Sequence, residues 1–551
     1  MKLATKPLPS LIVLTLVTFA CLAPFLNKAF HIDDTLFLLA ARQIQSTPAD
    51  FYGFKVNWEG VEAPMSAVTK NPPLASYYIA VAAGLLGWDE VGLHLAFLFI
   101  ALASVAGMFL LAKEFCSRPL IAVLAAISTP VFLLSSTSVM CDPMMVSLWI
   151  WAMYLWIRGT KNDSVIQLIG AAFLIALCVL TKYSGASLLP LLFVYSFAQK
   201  GRLGRWLWPL LLPIVFLAGY EFLTFEFYGK GLLHDASAYA LKDNRIDGSY
   251  LFSKTMTGLS FTGGCFITAL FYGLFAWRRT ILLSALATFL LFAVYDWQAG
   301  YSGGFQAGNG LNWFFLIQFY VFCLSGITIL FLAASDLTQA RDVDSLLLFL
   351  WVAGTFVFTS FINWTVNGRS LLPMVPAIGI LIARKLERHA PINSSALKLM
   401  VPLIPSFCVA FLVTLADFNL ADSARNAAMA ISREFWTPSN TLWFQGHWGF
   451  QYYMERFGAK ALDLDNSALS PGDIVVIPLY NSATRAPPRE GVVEVGVFRF
   501  DSTHFITAMN PSMGAGFYHH GWGPLPFAIG SVPVERYLVL EVLAARKGWS
   551  P

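Results

Sequence analysis

The chain has 551 residues, of which 57% are hydrophobic, 15% aromatic and only 12% charged, against roughly 25% charged in soluble domains. This composition excludes an ordinary soluble globular protein. The formal net charge of +4, with basic residues scattered between apolar runs, leaves no basic stripe for nucleic acid.

In chain order, Lys2 and Lys6 precede an apolar run over 11–30. The run is long for the core of a signal peptide and reads as an uncleaved first transmembrane helix. Segment 31–71 is polar and aromatic, too long for an idle loop, and reads as functional, with a helix over 35–45. Residues 72–86 are apolar but spoil the charge parity if counted as a full crossing, so they read as a juxtamembrane or re-entrant helix. Further spans are predicted at 91–112, 119–136, 142–158, 164–181, 184–198, 206–228, 256–276, 280–296, 311–333, 345–363, 369–386 and 396–416, which with the first helix makes about thirteen. Lys113/Arg118, Arg158/Lys161, Lys200/Arg202/Arg205, Arg278/Arg279, Arg341 and Arg384/Lys385/Arg388 fall in alternate short connections, which the positive-inside rule makes cytoplasmic, together with the amino terminus. The seven cysteines lie in or beside these apolar segments without CxxC or CxxH spacing, and read as membrane-core thiols.

After residue 416 the chain changes character, with turn pairs such as Pro471-Gly472, strand-like runs at 474–478, 492–500 and 537–542, and a helical stretch at 450–457. The predicted fold is an α-helical polytopic membrane domain, 1–416, followed by a small extracytoplasmic α/β domain, 417–551. The expected location is a bacterial inner membrane.

Ionisable residues at membrane depth are costly and therefore informative. Asp33 and Asp34 follow the first helix, where a paired carboxylate accepts a proton or binds a metal, or serves only as a solvated helix end or N-cap. Lys70 precedes the rigid turn Asn71-Pro72-Pro73, Asp142 lies at the outer end of one span and Lys182 at that of another, and Arg369 begins the run Ser370-Leu371-Leu372-Pro373. Singly, each reads as snorkelling or capping; together they make an outward-facing cavity lined by acids and bases.

The acid pair in Ile32-Asp33-Asp34-Thr35, the Pro-Pro-Leu turn before Tyr77-Tyr78, Asp142-Pro143-Met144, Leu180-Thr181-Lys182 and Arg369-Ser370-Leu371-Leu372-Pro373 resemble, in order and placement, the GT-C membrane glycosyltransferases, especially the aminoarabinose transferase and protein O-mannosyltransferase group (glycosyltransferase family 39 type). The resemblance covers about residues 10–390. It implies a polyprenyl-phosphate-linked sugar donor and transfer, with inversion, to a lipid, glycan or protein acceptor on the outer face. Asp33 aligns with the family's first acid and would be the general base; Asp34 would orient it or share a proton, and Asp142 would position the acceptor or bind a metal. Lys70 and Lys182, then Arg369, Lys242 and Arg245, would neutralise the departing phosphate. Two departures stand out: Leu36 where relatives of the aminoarabinose enzyme carry arginine, and Asn71 where they carry lysine, with Lys70 one residue earlier. An Asp33/Asp142 pair is compatible with a divalent cation without demanding one.

The rival reading is a transporter or flippase of a lipid-linked substrate, against which stand the lack of an inverted repeat and of a matching inner set of charges. In the tail, His447, Trp443 and Trp448 offer a stacking surface for a sugar, or a small-domain core. His519-His520 beside Trp522 lacks a third ligand at a convincing spacing.

Overall fold

The computed structural model describes residues 7–241, 248–276, 306–307, 310–311, 313–389 and 396–549, with four isolated positions between 283 and 290. Six helices among the described residues are long and apolar enough to cross a membrane, or seven if one bent pair is a single span. The first runs over Leu8–Phe25, and others include Glu90–Phe115, Trp313–Ala340 and Leu397–Phe435. Several of the about thirteen expected runs form shorter or interrupted helices among the described residues. Leu74–Leu86 and Val165–Thr181 are such short apolar helices, and the expected span 280–296 falls outside the described residues apart from isolated positions.

Local chemistry accounts for the interruptions. The run 119–136 breaks into Pro119–Ile127 and Pro130–Ser136, bent by 67°. Thr129 is extended (φ −90°, ψ 139°) ahead of Pro130, the conformation a following proline imposes, and Pro130 opens the second helix. Asp89 starts Glu90–Phe115 by accepting from the Gly92 amide, with Lys113 in the last turn where the helix dipole favours a cation. Helices Gly248–Cys265 and Trp313–Ala340 pack through glycine. A Cβ on Gly263 would lie 1.7 Å from the Phe322 carbonyl oxygen, and one on Gly326 2.2 Å from that of Leu259, so these backbones meet as closely as small residues allow.

The segment after the first helix, expected to be external, is built and not idle. After helix Asp34–Ser46 come a hairpin of Lys55–Asn57 on Glu62–Pro64, the short helix Met65–Val68, and Leu74–Leu86.

The C-terminal part holds a five-stranded sheet in the order Lys460–Ala461, Leu442–Phe444, Ile474–Pro478, Glu535–Val542, Val492–Phe500. The first two pairings are parallel and the last two antiparallel. Ile474–Pro478 is buried along its whole length, as expected of an unbroken apolar run at the centre of a sheet covered on both faces. Val475 and Ile477 pack with Leu462, Leu469 and Trp549, while Ile474 and Val476 join the main core. The expected helix over 450–457 is Trp448–Arg456.

This part is bonded to the membrane helices. The expected division at 416/417 falls inside one 33-residue helix, Leu403–Phe435. Gln318 bonds both the amide and the carbonyl of Ile529, and the Gly368 amide donates to the Phe517 carbonyl.

Candidate active site

Where the segment after the first helix, the membrane helices and the C-terminal part meet, they enclose a cavity of about 1180 Å³. It is larger than the roughly 300–1,000 Å³ of a usual single-ligand pocket. Asp33, Lys70, Asp142, Lys182 and Arg369 all line it.

Asp33 sits at the start of helix Asp34–Ser46, after Ile32 has turned the backbone to φ +46°. Its carboxylate is 27% exposed and accepts a 2.8 Å hydrogen bond from Arg369 Nη1. Arg369 opens the 3-10 helix Arg369–Met374. The same Nη1 lies 4.0 Å from Asp142 Oδ2, and the guanidinium rests over the Tyr518 ring at 5.3 Å, a cation–π contact. Asp142, buried in the first turn of Cys141–Lys161, receives Lys182 Nζ at 2.5 Å on its other oxygen. Lys182 projects from the residue that ends Val165–Thr181.

Lys70 donates to Asp235 Oδ2 at 2.6 Å and to the Ala67 carbonyl at 2.9 Å, and lies 5.3 Å over the Tyr239 ring. Burial acts to raise the Asp235 carboxyl, but the bonds and charges of Lys70 and Lys230 outweigh it and hold it below its ordinary range. Asn71 and Leu36, the two positions that depart from the family pattern, also line the cavity.

Asp34 points elsewhere. It is fully buried and accepts the amides of His31 (2.8 Å) and Val139 (2.9 Å). Burial raises its carboxyl to about 7, with Lys28 and the two amides offsetting part of that rise. It closes the turn that presents Asp33 and does not line the cavity. Lys242 and Arg245 lie outside the described residues.

The arrangement does not fit a divalent ion. The Arg369 guanidinium already lies against both Asp33 and Asp142, and among the described residues no three His, Cys, Asp or Glu side chains group as ligands. His519 and His520 stack at 5.4 Å, and His520 Nδ1 is 2.8 Å from Thr365 Oγ1.

The remaining wall is aromatic. Trp58 stacks on His447 with centroids 4.4 Å apart and planes 18° from parallel, and Trp448 meets Trp522 at 5.5 Å; all four line the cavity. Burial lowers the His447 imidazole to about 4, partly offset by the Asp33 charge. Trp443 is not part of this wall: its indole lies 3.2 Å from Asp473. Sequence reasoning did not reach Trp58, Tyr518 or the Asp235 partner of Lys70. Trp58 stood out only as an aromatic in an unusually polar loop, and Tyr518 carried no signal at all.

Residues 70–221 match a family model described as dolichyl-phosphate-mannose-protein mannosyltransferase. That segment contains Lys70, Asp142 and Lys182, but not Asp33 or Arg369. No curated protein matches the chain significantly. Among solved structures, ArnT from Cupriavidus metallidurans bound to undecaprenyl phosphate is 14% identical, covers 86% of this chain and 94% of its own, and has a TM-score of 0.53. The apo form of the Archaeoglobus fulgidus oligosaccharyltransferase is also 14% identical, covers 84% of this chain and 65% of its own, with a TM-score of 0.49. The first of these likenesses is one of fold.

Proposed function

We propose that this chain, an integral-membrane glycosyltransferase of the GT-C fold with a protein-mannosyltransferase-type segment, moves a sugar from a polyprenyl-phosphate carrier to an acceptor hydroxyl, with inversion and with Asp33 as general base. The observation that carries this reading is the Asp33 carboxylate, open to the cavity and held by Arg369 beside the Asp142–Lys182 pair. A hydroxyl is a weak nucleophile until a base within hydrogen-bond reach takes its proton. The acceptor oxygen bonds to the anomeric carbon as the bond from that carbon to the phosphate oxygen breaks. The hydroxyl proton passes to Asp33, and the bond pair leaves with the lipid phosphate.

The leaving phosphate needs cations that are already in place. Lys70, Lys182 and Arg369 are candidates, and each is pre-set by a carboxylate: Asp235, Asp142 and Asp33 respectively. An ammonium has three donors, so Lys70 can hold Asp235 and meet a phosphate oxygen together. Asp142 then acts by holding Lys182 and Arg369. The carrier bound by the Cupriavidus ArnT, undecaprenyl phosphate, supports a carrier of this class here.

The cavity opens to the outside of a bacterial inner membrane on this reading, because basic connections lie at far helix ends: Lys161 closes the helix whose first turn carries Asp142. Lys161 bonds Glu114 and Asp344, and Arg384 bonds Asp336 and Asp342, away from the cavity. An alkaline phosphatase fused after residue 551 is active on this topology and inactive on the reverse one. The stereochemical claim is tested by NMR of the product formed from a polyprenyl-phosphate sugar of known anomer; retention of configuration would overturn it.

A further inference from the structure

Five non-glycine residues among those described have positive φ: Ile32, Asp163, Arg341, Trp448 and Ala483. Asp163 and Arg341 stand in short connections between helices. The other three line the cavity. A β-branched residue and a tryptophan at φ +46° and +66° are both strained, and such strain persists only where the surroundings impose it.

Those surroundings are visible. The Trp448 carbonyl accepts a 2.8 Å bond from the Thr35 hydroxyl, two residues beyond Asp33. Gly449 is pressed onto the Phe30 carbonyl so closely that a Cβ would lie 2.1 Å from it. On the other side, the His447 amide donates to Asn481 Oδ1 (3.1 Å) while Asn481 Nδ2 donates to the His447 carbonyl (3.2 Å). His447 Nε2 is 2.9 Å from the Ser482 hydroxyl. The turn is therefore clamped against the segment that carries Asp33, in a conformation glycine would adopt without strain, and yet a tryptophan occupies it with its ring at the cavity.

We infer that the wall of Trp58, His447, Trp448, Ser482 and Trp522 is the acceptor subsite and receives a pyranose ring, which makes the acceptor a glycan or glycolipid head group; the inference rests on the glycosyl-transfer reading above. Aromatic faces match the C–H face of a pyranose, while its hydroxyl edge needs uncharged polar groups such as Ser482. A seryl or threonyl side chain offers no comparable face. Lys182 and Arg369, which suit the carrier phosphate, lie at the ends of helical elements of the membrane part, whereas His447, Trp448, Ser482 and Trp522 come from the C-terminal part and Trp58 from the segment after the first helix. Donor and acceptor thereby reach Asp33 from different elements of the one cavity.

The test uses full-length protein in lipid nanodiscs and saturation-transfer NMR with methyl pyranosides, and in parallel with a serine- and threonine-containing peptide. The inference expects transfer to the pyranoside ring protons and none to the peptide. It expects the signal to fall about fivefold or more in Trp522→Leu and in Trp448→Gly, the latter a substitution that relieves the backbone. Asp33→Asn, used so that nothing turns over, keeps the signal, and keeps it when undecaprenyl-phosphate mannose is added. Displacement of the pyranoside by that donor would mean that the wall holds the donor sugar. An undiminished signal in both tryptophan variants, or a signal from the peptide alone, would overturn the inference and leave the role of Asp33 standing. An Asp33→Asn protein that still transfers sugar would instead sink the base assignment.

Discussion

Arg369 donates a 2.8 Å hydrogen bond to Asp33 although 336 residues separate them in sequence. The same guanidinium nitrogen lies 4.0 Å from Asp142, so one side chain sets the spacing of two acids. Arg369→Lys keeps the charge but loses the planar fork. It is expected to lower kcat about 10- to 100-fold, less than removal of the base itself, with an unchanged melting temperature. Wild-type kcat in the lysine variant would contradict this placement.

Behind that pair lies a buried chain of contacts. Tyr518, whose ring supports Arg369, donates through its hydroxyl to Asp417 at 2.9 Å, and Asp417 pairs with Lys28 at 2.5 Å with neither side chain exposed. Breaking a buried pair leaves one charge uncompensated, so Lys28→Met is expected to cost about 3–5 kcal/mol. Adding Asp417→Leu should return most of it. Thermal unfolding in detergent measures both, and a double variant as unstable as the single one would contradict the account.

Glu535, buried in the C-terminal sheet, has its carboxyl raised to about 8 from an ordinary 4.5, with burial as the cause. The native state keeps the proton while the unfolded chain loses it. The contribution is therefore full below about pH 4.5 and is lost as pH rises through about 8. Glu535→Gln is expected to raise the melting temperature at pH 8 and to leave it nearly unchanged at pH 4.5. An equal gain at both would contradict the titration.

His31 gives the opposite slope. Burial lowers its imidazole to about 4 from 6.5, with Asp417 and Lys28 acting in opposite senses. It stays neutral in the fold, so its contribution is full above about pH 6.5 and is lost as pH falls through about 4. His31→Asn is expected to flatten the acid side of the stability curve, read as melting temperature between pH 4 and pH 7. An acid side as steep as in the parent protein would count against it.

Gly263 and Gly326 hold helices Gly248–Cys265 and Trp313–Ala340 at contact distance. Gly263→Leu is expected to lower detergent stability by 1–3 kcal/mol or more, about what overpacking costs, whereas Gly354→Ala, with open space around it, should be neutral. Equal effects would contradict close packing at Gly263.

Much of this was legible because charge is scarce. A lysine or aspartate standing at the end of an apolar run is visible in the sequence, and Asp33, Lys70, Asp142, Lys182 and Arg369 line one cavity. Strand Ile474–Pro478 is legible as a short unbroken apolar run after the Pro471-Gly472 turn, and Val492–Phe500 from its alternation. Adjacency in sequence groups Asp34 with Asp33 but says nothing about which way a side chain turns, and a tight turn sends these two apart. The aromatic wall was hidden for a similar reason: Trp58 and His447 meet through tertiary packing alone. The 119–136 run read as one span because its hydropathy is continuous, while the Pro130 bend is a backbone effect.

The most direct test of the central claim is transfer by purified Asp33→Asn protein from a polyprenyl-phosphate sugar, alongside its melting temperature. The account predicts a loss of about 10²- to 10⁴-fold in kcat with folding intact. A stable Asp33→Asn protein with wild-type turnover would contradict it.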